Sequence, residues 1–404
     1  MDDAAGGKPR PPGSVAEVFG AFLRLGLTSF GGPIAHLGYM RAEFVQRRGW
    51  MDEARFAQVL AVCQFLPGPA SSQLGFAIGL FRAGWGGALA AFVAFTLPSA
   101  LLMFGFAALA PHLGAGVGAG VVHGLKLVAV VVVAHGLVGM ARQLTPDLPR
   151  VLIAGVVFVL LVLGSAAWMQ LLAIALGAML GLVLCRQVAA PGAAQFPVAY
   201  GRGVAVLCLV LFVTGLAAAT LLPSSGAPTP GGLAAAFYRA GALVFGGGHV
   251  VLPLLQHSLV ETGWLEARTF MAGYGAAQAV PGPMFSLAAF LGAEVPSGLP
   301  AMAGALVALV AVFLPGFLLL LAILPFWTRL SQYRRGASAI AGINAAVVGL
   351  LAAAFHHPVL GEGVAGPADV AIALVGLALL AGARVHSLWV VLWCVVASAA
   401  LALW

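Results

Sequence analysis

Thirteen continuous apolar runs follow one another along the chain, from 15–40, 56–81, 84–111 and 116–140 in the first part to 336–356, 366–383 and 387–404 at its end. Each is unbroken rather than alternating, which excludes a β-barrel. In lipid the backbone must then satisfy itself as helix. The remaining composition agrees. Hydrophobic residues make up 62% of the 404 residues and charged residues 8%, against roughly a quarter charged in a soluble domain. A soluble enzyme, a disordered chain and a disulfide-built module are all excluded. The net charge of +7 comes from basic residues placed between the apolar runs, where they orient a chain in a bilayer. The lipid bilayer is therefore an expected partner and nucleic acid is not. Cys63, Cys185, Cys208 and Cys394 are scattered and read as small apolar filler.

The chain also repeats itself. Phe22, Arg24, Gly26, Phe30, Gly31 and Gly32 align with Phe237, Arg239, Gly241, Phe245, Gly246 and Gly247. After a one-residue gap, Gly49, Trp50 and Phe56 align with Gly263, Trp264 and Phe270. Gln64, Pro67, Gly68, Pro69, Ser72 and Phe76 then fall on Gln278, Pro281, Gly282, Pro283, Ser286 and Phe290. Leu97-Pro98 matches Leu314-Pro315, and Gly124 matches Gly342. The organisation predicted is a polar tail at 1–14, a first repeat at 15–200, a connecting transmembrane segment and loop at 201–231, and a second repeat at 232–404.

Loop charges orient the halves. Arg41, Arg47, Arg48 and Arg55 stand in a loop whose counterpart holds only Arg268. The loop near 111–117 has no Lys or Arg, whereas its counterpart holds Arg329, Arg334 and Arg335. The bias flips again between 141–150 and 357–366. Positive charge marks the cytoplasmic side, so the halves are predicted to insert upside down relative to each other, the unmatched run 203–222 being the extra crossing. The same bookkeeping lets the second and third runs cross only once between them, so one of them enters and returns or breaks midway. Pro67-Gly68-Pro69 makes the second the better suspect, and with Lys8 and Arg10 also inside, the first run, broken at Gly31-Gly32-Pro33, would do the same.

Inverted repeats with interrupted helices are the architecture of secondary transporters. The fold class expected is an all-α integral membrane protein with broken or re-entrant helices. Pro33, Pro69 and Pro283 each follow a glycine and open a helix-compatible run. Such starts present unpaired N–H groups at a positive dipole end, a ready anion site. Ser71, Ser72 and Ser286 add hydroxyl donors, and Gln64 and Gln278 offer amides. Arg24, Arg239 and Lys126 lie within apolar runs, Asn344 standing where Lys126 stands in the other half. Deep carboxylates are nearly absent, which turns the expected ligand toward an anion. The nine histidines give no metal-binding spacing, and no metal or cofactor is expected. The candidate binding set is Arg24, Gly31, Gly32, Gln64, Gly68, Ser71, Ser72, Lys126, Arg239, Gly246, Gly247, Gln278, Gly282, Ser286 and Asn344.

Taken together, F-G-G-P with Arg six residues before its Phe, then G-W, then Q-F-L-P-G-P, resembles the chromate ion transporter (CHR) family. The second copy, F-G-G-G-H, G-W and Q-A-V-P-G-P, is similar to the second domain of its long fused members. The resemblance implies a prokaryotic inner-membrane protein, not an enzyme, that exports chromate using the proton gradient or exchange against sulfate. It places Arg24, Gly31, Gly32, Gln64, Pro67, Gly68, Pro69, Gly246, Gly247, Gln278, Pro281, Gly282 and Pro283 at signature positions. Gly248 departs from the proline at position 33. Sulfate has the charge and nearly the shape of chromate. A sulfate or organic-anion transporter, an uncoupled anion channel, a lipid- or quinone-directed enzyme and a homo-oligomer stay open at this point.

Overall fold

The computed structural model describes residues 13–113, 116–164, 169–186, 196, 198, 200–222, 226–330, 333–382, 385 and 387–403. Among them every regular element is a helix and no strand occurs. The polar tail predicted at 1–14 lies outside the described residues up to residue 12. Among the described residues, five helices are long and apolar enough to cross a membrane.

Helices α1 (Val15–Thr28) and α2 (Gly32–Arg41) flank the first glycine break, and a π-helical turn, Ala42–Arg47, continues α2. Helix α3 (Glu53–Phe65) runs to Pro-Gly-Pro, and α4 (Ala70–Leu109) leaves it. Helix α4 is two helices in one: Ala83 and Gly84 are non-helical, Gly84 at φ +63°. There the chain reverses, and 70–82 lies on 85–109 so closely that a Cβ on Gly79 or Gly87 would overlap the other's carbonyl. Helices α5 (Val117–Leu144), α6 (Leu148–Leu163), α7 (Met169–Leu184) and α8 (Arg202–Leu221) complete the first half and the connector.

The second half repeats the order. Helices α9 (Pro230–Leu243) and α10 (Val251–Leu259) flank the second glycine break, and α11 (Ala267–Ala279) runs to the second Pro-Gly-Pro. A 3-10 turn, Met284–Ser286, leads into α12 (Leu287–Glu294), followed by α13 (Ala301–Ile323), α14 (Trp327–Leu330) and α15 (Arg334–Ala354). Helices α16 (Leu360–Gly363), α17 (Pro367–Ala381) and α18 (Ser387–Leu401) close the chain.

The short helices before and after each break fold back as hairpins. Trp50 Nε1 donates to Glu17 Oε1 (3.2 Å), so the end of the α1–α2 excursion returns to its start. The Arg55 guanidinium lies 4.9 Å from the Phe81 ring centroid, so the beginning of α3 meets the end of the 70–82 segment. Arg82 joins both excursions, pairing with Glu17 (3.0 Å) and stacking over Trp50 (5.2 Å). We term this end of the molecule the near face. A helix of 13 residues such as α3 spans ~20 Å, less than the ~30 Å hydrocarbon core, so each hairpin reaches only part-way. In the second half Trp264 Nε1 donates to the Gly226 carbonyl (2.8 Å), closing α9–α10 in the same manner. A Cβ on Gly273 of α11 would collide with the Phe290 ring of α12, equally far along the chain on the other side of Pro-Gly-Pro.

The halves interlock. Helix α5 packs on α17 and α18, and α15 packs on α6 and α7, so each long helix is held by the last helices of the other half. Small residues make this possible. A Cβ on Gly124 would lie 2.7 Å from the Cys394 carbonyl, and Gly342 is pressed equally close to Gly177 and Gly181. The glycines matched in sequence therefore serve the same joint in each half.

Candidate functional site: the crossed helix breaks

The two Pro-Gly-Pro turns do not cap their own hairpins. The Gly68 N–H donates to the Val244 carbonyl (2.7 Å), and the Gly282 N–H donates to the Ser29 carbonyl (2.8 Å). Ser29 and Val244 occupy the same place in the repeat, each directly before the Phe-Gly-Gly break. Each half's turn is thus tied to the helix end of the other half, and all four breaks converge. Gly31, Gly32, Gly68, Gly246, Gly247 and Gly282 have φ of +99°, +75°, +122°, +74°, +144° and +99°, a region in which only glycine is at ease.

At the first turn, a Cβ on Gly68 would lie 3.0 Å from Gly316 Cα of α13. Gln73 secures this contact. Its Nε2 donates to the Pro67 carbonyl (3.0 Å) and to the Gly316 carbonyl (2.9 Å), while its Oε1 is buried without a partner. At the second turn the neighbour is Ser99, whose Oγ would lie 2.9 Å from a Cβ on Gly282. Around them, Phe76 stacks on Phe317 (4.4 Å) and Phe92 meets Phe313 and Phe317 (5.0 Å each), an aromatic seam between the halves. His36 completes the Ser29 corner, with Nε2 3.2 Å from the Ser29 carbonyl and its ring edge-on to Phe95. A carbonyl only accepts, so Nε2 carries the proton.

The donors left over define what this arrangement can bind. The first intrahelical bond of α4 runs from Gln73 N–H to the Pro69 carbonyl (2.9 Å). The N–H groups of Ala70, Ser71 and Ser72 have no partner among the described residues. Ser71 and Ser72 are buried, and Ser72 Oγ is unpartnered. At the matching place of the second half the 3-10 turn consumes one donor, since Ser286 N–H bonds to the Pro283 carbonyl (2.9 Å). The start of α4 is therefore the richer cradle: three aligned N–H groups and two hydroxyls, at the positive end of a helix dipole.

The other expected residues divide. Asn344 joins the second glycine break: a Cβ on Gly246 would lie 3.6 Å from its buried, unpartnered Oδ1. Ser286 is buried beside the second turn, and Gln278 Nε2 faces the Met284 sulfur (3.3 Å). Gln64 and Arg24 are exposed, on α3 and α1. Lys126 lies elsewhere, its Nζ donating to the Glu362 carbonyl (3.0 Å). Arg239 is half-buried in a small pocket between α9 and α10. Gln73 is absent from the expected set, because its match in the second half is Leu287 and the repeat does not flag it. Among the described residues no group of three His, Cys, Asp or Glu side chains forms a metal site.

The halves differ in how well they are covered. On α11, Met271, Ala272 and Gly275 are buried, and a Cβ on Gly275 would overlap the Leu125 carbonyl of α5. The matching positions on α3 are Ala57 and Gln58, both exposed, and Ala61, half-exposed. Helix α3 has no comparable packing on α15. Gly246 is covered by Leu144 and Met140 of α5, whereas its match Gly31 meets only Ala35 of its own hairpin.

A sequence model of the Chromate transporter family matches residues 16–182 and 231–400, the two halves described above. The chain is 28% identical over 358 residues to a probable chromate transport protein of Synechococcus elongatus, covering 85% of this chain and 84% of the relative. It is 29% identical over 374 residues to the chromate transport protein of Pseudomonas aeruginosa (85% and 80% covered) and 30% identical over 343 residues to that of Cupriavidus metallidurans (82% and 80%). No solved structure matches the chain.

Proposed function

The chain belongs to the chromate transporter family, and from that premise we propose that it exports chromate across a prokaryotic inner membrane, driven by the proton gradient. The observation that carries this reading is the cradle at the start of α4. It offers unpaired donors to a tetrahedral oxyanion at the point where the breaks of both halves are tied together. Backbone N–H groups and neutral hydroxyls replace the anion's water without burying a counter-charge, so the ligand can leave again. The binding set narrows to Ser71, Ser72, Ser286 and Asn344, with Gly68 and Gly282, whose N–H groups are tied to Val244 and Ser29, shaping the turns and Gln73 positioning the first of them. Gly31, Gly32, Gly246 and Gly247 are the hinges. Lys126 is left out, because its Nζ lies away from the turns, against the Glu362 carbonyl.

The inverted insertion of the halves belongs to the same proposal. The Tyr200 ring lies 5.4 Å from Trp85 at the near face, and its hydroxyl donates to the Leu321 carbonyl (2.8 Å). Helix α8 follows with 20 residues, enough for ~30 Å, and leads to Gly226 and the closed end of the α9–α10 hairpin. That path supports hairpins of the two halves entering from opposite faces, with 41–55 and 329–335 both cytoplasmic. Cysteine labelling of these two loops from opposite sides of the membrane would end it.

The transport test is radiolabelled chromate flux in proteoliposomes. An imposed pH gradient is expected to drive accumulation, and sulfate to compete. Conduction that ignores the pH gradient would make the chain a channel. Sulfate flux that chromate does not inhibit would make it a sulfate carrier.

A further inference from the structure

We infer that Arg239 forms a second oxyanion subsite, separate from the α4 cradle and reached from the face opposite Trp50 and Arg82. The inference rests on the anion-transporter reading and adds a second binding step to it. Arg239 lines a cavity of about 60 Å³ between α9, α10 and the beginning of α7, together with Gln170, His257, Ser258 and Thr262. Roughly 10–15 Å³ measured this way holds one water, so the space takes about four waters, or the five heavy atoms of a tetrahedral oxyanion. The cavity walls are already fixed by bonds of their own. Gln170 Nε2 donates to the Pro253 carbonyl (3.0 Å), Ser258 Oγ to Leu254 (3.0 Å) and Thr262 Oγ1 to Ser258 (2.9 Å). His257 Nδ1 faces Glu261 Oε2 at 2.6 Å. Arg239 is unspent: among the described residues its guanidinium has no hydrogen bond and no ion pair.

A half-buried cation without a partner is costly in an apolar setting. The cost falls if an anion fills the cavity. Two parallel N–H groups of the guanidinium match two oxygens of a tetrahedral oxyanion. Location suggests the role. Leu243 and Leu254, which flank the second glycine break, line the same cavity. Thr262 stands beside Gly263-Trp264, where the α9–α10 hairpin closes. The cavity thus lies between the converging breaks and the face opposite the near face. Arg24, the matching residue of the first half, is exposed, so the enclosed guanidinium belongs to one half only. An anion leaving the α4 cradle toward that face passes Arg239.

The test is equilibrium binding of radiolabelled sulfate and chromate to the purified full-length protein, read as moles bound per chain. Wild-type protein is expected to bind two anions. Arg239→Gln is expected to bind one, with the remaining affinity within about twofold. Arg239→Lys keeps the charge without the fork, and is expected to keep both sites with one weakened about tenfold. Two sites of wild-type affinity in Arg239→Gln, or a single wild-type site that Arg239→Gln leaves unchanged, overturns the inference. If Arg239→Gln does not fold, two wild-type affinities in Arg239→Lys overturn it equally. Absence of any anion binding in the wild type instead removes the transporter reading beneath it.

Discussion

Replacing Gln73 tests the convergence of the breaks most directly. Its amide holds a carbonyl of the first Pro-Gly-Pro turn and a carbonyl of α13 together, at 3.0 and 2.9 Å. Gln73→Met keeps length and approximate volume, so repacking contributes under about 1.5 kcal/mol. The larger effect is that the Pro67 carbonyl loses its donor, while the Gly316 carbonyl, inside α13, keeps its intrahelical one. A stranded buried polar group costs about 1–3 kcal/mol. Even the lower end shifts the equilibrium between docked and undocked turn by ~5-fold, since 1.4 kcal/mol is tenfold. Gln73→Glu keeps the shape but sets an acceptor-only carboxylate against two carbonyl oxygens, and is expected to be worse than Met. Thermal unfolding in detergent reports the stability change, and initial chromate flux in proteoliposomes reports the site. The expected order is wild type, then Met, then Glu, in both assays. A Glu variant equal to wild type, or better than Met, would refute the role given to the amide.

Three further outcomes follow from individual contacts. Gly275→Ala puts a methyl group into the Leu125 carbonyl and should cost about 1–3 kcal/mol as overpacking; an unchanged unfolding midpoint would mean α11 and α5 are not in that contact. Lys126→Gln retains a donor for the Glu362 carbonyl and is expected to transport within about twofold of wild type; a tenfold loss would return its charge to the anion's path. Asp147 caps α6 by accepting from Arg150 N–H (3.1 Å), and the Arg150 guanidinium holds its carboxyl below the usual carboxylate range. A depressed carboxylate contributes above its unfolded pKa and stops contributing as pH falls through its folded one. Asp147→Ala should therefore cost about 1 kcal/mol at neutral pH, mostly the cap, and the gap should close in acid; a gap that widens below pH ~4 contradicts the assignment.

What could be read from the sequence was whatever the repeat wrote twice. The Phe-Gly-Gly and Pro-Gly-Pro breaks are legible because their positions need φ values that glycine alone adopts easily, at Gly68 and Gly282 alike. The return of the first two runs to one face is legible because arginines accumulate there. What was not legible is what the repeat wrote once, or joined across a great distance. Gln73 matches Leu287 and so carries no signal of its own, although it spans 243 positions to Gly316. Lys126 reads as a free deep charge until α16, 236 positions away, supplies its carbonyl. Arg24 and Arg239 look equivalent in sequence, yet only Arg239 is enclosed.

That inequality belongs to a pattern. Two copies of one hairpin pair have the same breaks and the same cross-ties, yet α11 is pressed onto α5 while the matching face of α3, with Gln58 and Gln64 exposed, is not pressed onto α15. Lipid does not favour exposed amides, so that face of α3 belongs against water. If the copies exchanged environments, α3 would close on α15 and α11 would leave α5, moving the opening from one face to the other around the fixed crossing of the turns. The residues at the two contacts bias this exchange. Gly275 lets backbones touch, whereas Ala61 at the matching place keeps a methyl between them. An anion bound at the α4 cradle shifts that balance only by holding one arrangement more tightly than the other. The cradle can do so, because its helix is pinned through Gln73 to α13, the long helix of the opposite half.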